Sequence, residues 1–383
     1  MFDDIGPVDL TGIEWIVIGT ETGRRKGKTV SKPEWVWSLM DQAHALGIPV
    51  FTKEDLVPIM GEENIVQELR LLPSIRGAKS MAEMIEKGIL IRDVETKNIM
   101  TKSTLPVGGY SVNPYVGCTH GCKYCYASFM KRFTGHTEPW GMFLDVKHWP
   151  DIKNPRKYAG QRVVIGSVTD GYLPQEEQFG NTRRLLEQLR GSGAEILICT
   201  KSDLVVRDID LLKELGKVTV SWSINTLDED FKNDMDSAAS IGRRLEAMKQ
   251  VYDAGVRTVC FVAPVFPGIT DFETIFLRVK DQCDLVWLEN LNLRGGFKKD
   301  ILSYIREKHP ALYPLYDAIY NKGDKSYFHA LEQQARHLAN EHNCSFVDNE
   351  LPYGRAETGH PVIVDYFYHE EVRGTENTGL RNR

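Results

Sequence analysis

Cys118, Cys122 and Cys125 stand together in the run Cys-Thr-His-Gly-Cys-Lys-Tyr-Cys. Three thiolates in so short a turn can ligate three irons of a [4Fe–4S] cluster. No fourth cysteine follows at matching spacing. One iron would then keep an open position where a small molecule can be bound and activated, which a fully ligated electron carrier cannot offer. The competing reading is a structural zinc site completed by His120, His136 or His148. Zinc sites usually pair two C-x2-C units, or one such unit with H-x3-H, and no second pair is present, so the cluster is the favoured expectation.

The elements that must position this loop are legible in the hydrophobic pattern. Strands are expected at 111–115, 163–167, 195–199, 218–223, 257–263 and 285–289, alternating with helices at 181–190, 207–215, 243–254 and 272–281 that end at glycines such as Gly191, Gly216 and Gly255. Near-continuously apolar strands in β-α repeats predict an α/β fold whose parallel sheet, covered by helices, forms a partial, TIM-like (β/α)6 barrel over residues 105–300. In such sheets the site lies at the carboxyl ends of the strands, and the cysteine loop follows the first of them. Residues 1–75 read as a small β-α-β fragment without a cluster motif of its own, too small to bury a core alone. Its Gly-Thr-Glu-Thr-Gly at 19–23 lacks the spacing of a phosphate loop and reads as a plain turn. Residues 76–104 read as a linker. Residues 301–383 read as a helical C-terminal extension with a further strand at 345–348 and a polar tail carrying Tyr366, Phe367 and Tyr368.

Composition sets the outer limits. The chain of 383 residues is 42% hydrophobic and 26% charged, the balance of a globular protein. No apolar stretch reaches the length of a membrane span, and the N-terminus lacks the basic start and apolar core of a signal peptide. A cytoplasmic location with reduced thiols is expected, so the seven cysteines do not form a disulfide framework. Cys199 and Cys260 lie in apolar runs and read as small core residues. The net charge of −6 gives no support to nucleic acid as a general partner. The basic pairs Arg183-Arg184, Arg243-Arg244 and Lys298-Lys299 read as solvated faces or turns.

Longer motifs carry a resemblance. Ser-Val-Asn-Pro-Tyr-Val-Gly-Cys at 111–118, Ser-Val-Thr-Asp-Gly-Tyr at 167–172, Thr-Arg-Arg-Leu-Leu-Glu at 182–187, Thr-Lys-Ser at 200–202 with Arg207-Asp208, and Pro-Val-Phe-Pro-Gly-Ile-Thr-Asp at 264–271 resemble the spore-photolyase-like group of the radical S-adenosylmethionine (SAM) superfamily. From Thr101 onward the chain is similar to the radical SAM mobile pair protein B. Its N-terminal fragment resembles the end of the partner protein A.

The resemblance implies that the open iron chelates SAM and that reduction cleaves it to a 5′-deoxyadenosyl radical, with a flavodoxin or ferredoxin as reductant. It also implies site roles: Tyr124 near the adenine; Ser167, Thr169 and Asp170 around the SAM amine; Lys201 near the carboxylate; Ser223 and Asn225 at the carboxylate or ribose; and Val265 to Gly268 as the adenine wall. Ser167, Tyr172, Glu289 and Asn290 are the candidates facing substrate. Turns and caps are the alternative use for Asp170, Lys201 and Asn225. Where spore photolyases carry a hydrogen-donating cysteine, this sequence has Ser167, a much poorer hydrogen-atom donor. The expected function is hydrogen abstraction from an unidentified substrate. The alternatives are photoproduct-lyase repair of DNA, or a non-catalytic iron–sulfur subunit that works with a partner.

Overall fold

Residues 1–81 and 82–383 build separate hydrophobic cores. The structure, a computed structural model, describes residues 6–11, 13, 16–20, 30–61, 64–66, 85–86, 88–103, 109–293, 297–348 and 361–365. In the first unit β1 (Ile16–Ile18) pairs in parallel with β2 (Val50–Thr52), Ile16 opposite Val50. Helix α1 (Pro33–Ala45) connects them and buries Val36, Leu39, Met40 and Ala43, a three-and-four spacing that puts one apolar stripe on the strands. The expected β-α-β is present among the described residues. Most of the 19–23 motif lies outside them.

The second unit holds two sheets. The smaller contains β3 (Ile85–Glu86), β4 (Ile89–Glu95), β7 (Tyr115–Val116) and β8 (Phe143–His148), ordered β3-β4-β8-β7. The larger contains β5 (Thr101–Lys102), β6 (Tyr110–Val112), β9 (Arg162–Ile165), β10 (Glu195–Thr200), β11 (Val218–Ser223), β12 (Arg257–Val265), β13 (Leu285–Asn290), β14 (Ser345–Asp348) and β15 (Val362–Asp365). Its order is β14-β15-β13-β12-β11-β10-β9-β6-β5. Every pairing in it is parallel except β5 with β6.

The fold is thus mixed α/β. Helices α2 (Asn181–Gln188), α3 (Ile209–Leu215), α4 (Glu229–Met235), α5 (Ile241–Asp253) and α6 (Phe272–Val279) fall between the strands of the large sheet. Alternate strand residues Val163, Ile165, Ile196, Ile198, Val220, Cys260, Val262 and Val286 pack in one core with Leu185, Leu212, Met248 and Ile275 of the helices. One face of the sheet is therefore helix-covered, and the opposite face is left to residues such as Ser111, Cys199, Ser221 and Glu289.

Three expectations are corrected here. Residues 76–104 are not only a linker: 89–95 pair with β8 in parallel register from Leu90↔Phe143 to Glu95↔His148. The alternation in Ile89-Leu90-Ile91 was masked by Arg92, Asp93 and Glu95, which sit on an exposed or half-buried edge. The strand expected at 345–348 is present as β14, but the tail is not only polar: it adds β15, and the two extend the large sheet beyond β13. Arg244 is not a solvated face residue. It is fully buried, while its neighbour Arg243 is exposed and pairs with Asp203; consecutive positions on a helix point about 100° apart.

Helix α4 was missed because Glu-Asp-Phe-Lys-Asn-Asp-Met carries little apolar pattern. It exists because the Asp228 side chain caps it, accepting from the N–H groups of Asp230 (2.8 Å) and Phe231 (3.1 Å). Phe231 and Met235 then pack with Tyr124, Phe266 and Leu291, and with Ile301 and Tyr316 from α7 (Phe297–Lys308) and α8 (Tyr313–Lys322). A last helix, α9 (Ser326–Glu341), packs on the helix-covered face. Among the described residues no helix is long and apolar enough to cross a membrane.

Candidate functional site

The cysteine loop leaves β7, whose buried Tyr115 donates its hydroxyl proton to Glu176. Gly117 makes the exit possible. Its φ is +86°, and a Cβ there would sit 2.3 Å from the carbonyl oxygen of Phe143. Two tight turns follow, closed by Gly121 N–H to Cys118 O (3.2 Å) and Cys125 N–H to Cys122 O (3.1 Å). Two further bonds anchor the loop near α4: Lys123 N–H to Met235 O (2.9 Å) and Ser237 N–H to His120 O (2.8 Å).

All three cysteines are free thiols. Burial raises each thiol pKa, that of Cys122 to about 12 even with the Lys201 cation pulling it down. Cys122, Asp170 and Cys125 all add repulsion at Cys118, which places the three sulfurs in one electrostatic neighbourhood. Three such thiols lose their protons together only against a compensating cation. Around them are buried polar atoms without a hydrogen-bond partner, His120 Nδ1 and Thr169 Oγ1, while the Trp140 indole N–H is directed to the Cys125 sulfur. Orphans of this kind mark a place built for something further.

The zinc alternative loses two of its histidines: His136 is held on both ring nitrogens, by Asp145 (2.8 Å) and Glu138 (3.1 Å), and His148 pairs with Asp93 (2.6 Å) on the exposed edge. His120 has Nε2 2.9 Å from Asp170 and keeps Nδ1 free. Among the described residues no three Cys, His, Asp or Glu side chains close around a single ion. A soft, all-thiolate donor set fits a cluster, which spans more space than one ion.

The strand ends bring several of the remaining sequence candidates to this loop. Asp170, after β9, is a buried hub. It accepts from His120 Nε2 (2.9 Å), Thr200 Oγ1 (2.9 Å), Tyr172 N–H (2.8 Å) and Lys201 N–H (2.7 Å). Burial alone would raise its pKa; His120 and these donors outweigh that and hold it below the ordinary carboxylate value. Ser167 shares a hydrogen bond with Ser111 and accepts from Asn113 Nδ2 (3.2 Å), and Asn113 Oδ1 receives the N–H groups of Val168 and Thr169.

The Lys201 ammonium lies 5.4 Å above the Tyr124 ring. Tyr124 donates to Asp236 (3.2 Å) and meets Phe266 edge-on at 5.4 Å. Asp236 in turn accepts from fully buried Arg244 (2.8 Å). Burial opposes ionisation of Asp236, but Lys201 and Arg244 keep its pKa low. Asn225 donates to Pro264 O (3.3 Å) and accepts from Thr270 Oγ1 (2.8 Å), fixing the turn that carries Val265. The carbonyl of Ser223 accepts from Arg244 (3.0 Å). Gly268, at φ +74°, turns to the C-terminal helices and donates to Tyr327.

Glu289, half-buried at the end of β13 beside Asn290, has no hydrogen-bond partner among the described residues, and desolvation raises its pKa to about 7. It faces Tyr126 and Cys199, whose ionisation its charge opposes. Tyr172 is not part of this group. It is fully buried in the helix-side core with its hydroxyl on Asp208 (3.0 Å), because Tyr172 packs with Leu185 and Leu186. The Arg183, Arg207 and Asp208 motif is likewise structural: Arg183 and Arg207 both reach Asp208 at 2.8 Å, and Arg207 reaches Glu176 at 2.8 Å.

Sequence reasoning missed Asn113, Tyr126, Cys199, Asp236 and Arg244. Cys199 was read as core. It is only half-buried on the helix-free face, and the alternation of Ile196 and Ile198 toward the helices was the available signal.

The Radical SAM superfamily model matches residues 112–277, the stretch from β6 to α6. An uncharacterised protein of Methanocaldococcus jannaschii is 33% identical over 230 residues, covering 59% of this chain and 86% of the relative. The chain belongs to the radical SAM superfamily. An uncharacterised protein of Acidianus two-tailed virus is 34% identical over 221 residues, covering 52% of this chain and 73% of the relative. Among solved structures, a spore photoproduct lyase with bound AdoMet and dinucleoside spore photoproduct aligns with a TM-score of 0.45 and 16% identity, over 78% of this chain and 83% of the lyase.

Proposed function

We propose that this chain is a radical SAM enzyme of the spore-photolyase-like group that abstracts hydrogen from an as yet unidentified substrate. The observation that carries the reading is the convergence of three free thiols, one buried and two half-buried, with the Lys201 ammonium at the carboxyl ends of parallel strands. Cys118, Cys122 and Cys125 would hold a [4Fe–4S] cluster. Reduced and with SAM bound, the cluster would supply the electron that breaks a carbon–sulfur bond of the sulfonium.

The chain's own residues bind and orient. Lys201 offers a counter-charge to a carboxylate, and its stem is fixed because its backbone N–H is held by Asp170. Tyr124, braced by Asp236 and Phe266, offers an apolar ring to an adenine; Val265, expected in that wall, is fully buried in the helix-side core. Thr169 has an unused hydroxyl for the amino group's surroundings. Glu289 and Asn290 face the substrate space, where Glu289 can hold or release a proton near neutral pH. Consecutive parallel order with helices on one face supports a sheet curved as a partial (β/α)6 barrel around this group.

The closer assignment is to mobile pair protein B, acting in the cytoplasm with a flavodoxin- or ferredoxin-type reductant. A protein of the mobile pair A type is its partner, and residues 1–75, which contain no cysteine, are a fused remnant of that protein. Anaerobic reconstitution with iron and sulfide tests the reading. Close to four irons per chain, an S = 1/2 signal on dithionite reduction and release of 5′-deoxyadenosine from SAM are expected. Folded protein that takes up no cluster overturns it.

A further inference from the structure

We propose that the segment Phe129–Phe133, shortly after the third cysteine, is the landing face for an acidic electron-transfer protein. The inference rests on the iron–sulfur reading above. The segment belongs to a run of 3-10 turns over Tyr126–Phe133 that buries Ala127. Tyr126 turns back to the site, donating its hydroxyl to the carbonyl of Ser167. Phe129 is 47% exposed and Phe133 67%. Among the described residues of the second unit, the exposed large apolar side chains besides Tyr126 are these two, Met142 and Leu277; all but Leu277 lie between Cys125 and β8. A concentration of apolar surface at one place marks an interaction face.

The face is also basic. Lys131 and Arg132 are its charged side chains, and no acidic residue intervenes between Cys125 and Glu138. The Arg132 guanidinium lies over both Phe129 (5.3 Å) and Phe133 (4.7 Å), which holds a positive charge at the surface without a carboxylate. Lys131 donates to Thr137 O (2.9 Å) and likewise keeps its charge. In a chain of net charge −6 this is a local reversal of sign. An open recess of about 590 Å³ runs along the patch, lined by Phe129, Lys131, Arg132 and His136.

The position selects the occupant. The patch begins four residues after the third cysteine, so an electron delivered here has a short path along the chain to the proposed cluster. A small apolar patch ringed by charge suits a transient redox encounter, which buries little area and is steered by complementary charge. The partner must therefore be acidic. One electron leaves the donor's reduced flavin and enters the cluster, and no bond in this chain is made or broken.

The test uses the full chain with its cluster reconstituted. Bleaching of the cluster's visible absorbance is followed after mixing with photoreduced flavodoxin, and separately with dithionite. The flavodoxin-driven rate of the wild type should fall as salt is raised. The Lys131→Glu/Arg132→Glu variant should be slower by about tenfold at low salt, with unchanged iron content and an unchanged dithionite rate. The neutral Lys131→Gln/Arg132→Gln pair should fall between.

A wild-type rate indifferent to salt, or an intact, dithionite-reducible cluster whose flavodoxin rate ignores the reversal, overturns the inference alone. A folded chain without a cluster overturns it together with the functional reading. Tight binding of a fluorescein-labelled oligothymidylate that the reversal abolishes, with flavodoxin unaffected, overturns it in favour of a strand-binding face.

Discussion

Two carboxylates at the strand ends meet opposite environments. Asp170 is surrounded by donors and stays ionised, whereas Glu289 is desolvated with no partner among the described residues, so its pKa rises from 4.5 to about 7. A carboxyl whose pKa is higher folded than unfolded binds more protons in the native state. Its penalty is absent below the unfolded value, grows as pH passes from about 4.5 to 7, and is complete above that. Glu289→Gln should therefore be nearly neutral at pH 4 and stabilising at pH 8 by about 2 kcal/mol. Urea denaturation of the cluster-free protein at the two pH values measures this, and an equal effect at both would contradict the assigned environment. Asp170→Ala removes the acceptor for His120, Thr200 and Lys201 at once. It should lower stability by about 3 kcal/mol. Because His120 sits inside the cysteine loop, iron uptake on reconstitution should fall as well, which a loss confined to the core would not produce. Asp170 was singled out in the sequence as a SAM neighbour; what the pattern could not convey is that its oxygens already hold the strand ends together.

At the scale of elements, the β-α alternation was readable because each strand is a short apolar run and each helix stops at a glycine or turn. Val218–Ser223 matches its expected bounds, and Leu285–Asn290 runs one residue further. Elements held by polar groups were not readable. Helix α4 depends on one aspartate, and β4 on pairing with a strand about fifty residues away, an interaction with no local periodicity. The cysteine loop belongs with the second kind. Its ligands were evident from spacing, but its shape depends on Gly117 against β8 and on two bonds from the end of α4. Gly117→Ala places a methyl group against the Phe143 carbonyl at a φ that L residues rarely adopt. It should cost about 3 kcal/mol and reduce iron content, measured by thermal melting and by iron analysis. Asp228→Ala should cost about 1 kcal/mol through lost capping. A Tyr124 that becomes more accessible to solvent in its near-ultraviolet spectrum would show that α4 positions the loop.

For the whole molecule, the informative feature is the division of labour between the two units. All seven cysteines, and Lys201, Asp236, Arg244 and Glu289, lie beyond residue 81. The core of the first unit, built on Val36, Met40, Ile18 and Val50, shares no residue with the cores that support the cysteine loop. The loop's supports are instead drawn from across the second unit: β8 from between β6 and β9, α4 from the stretch between β11 and β12, and Ile301 and Tyr316 from the helices that follow β13. A fragment spanning residues 82–383 contains every one of these contacts, whereas a fragment cut at 300 loses the C-terminal part of the core around Tyr124. The 82–383 fragment should thus take up as much iron and sulfide as the full chain and give the same reduced spectrum, while a 82–300 fragment should take up much less. Iron analysis and electron paramagnetic resonance on the three proteins decide the matter. Loss of uptake in 82–383 would mean that the first unit helps build the site, and full uptake in 82–300 would mean that α7 and α8 are not needed to brace it.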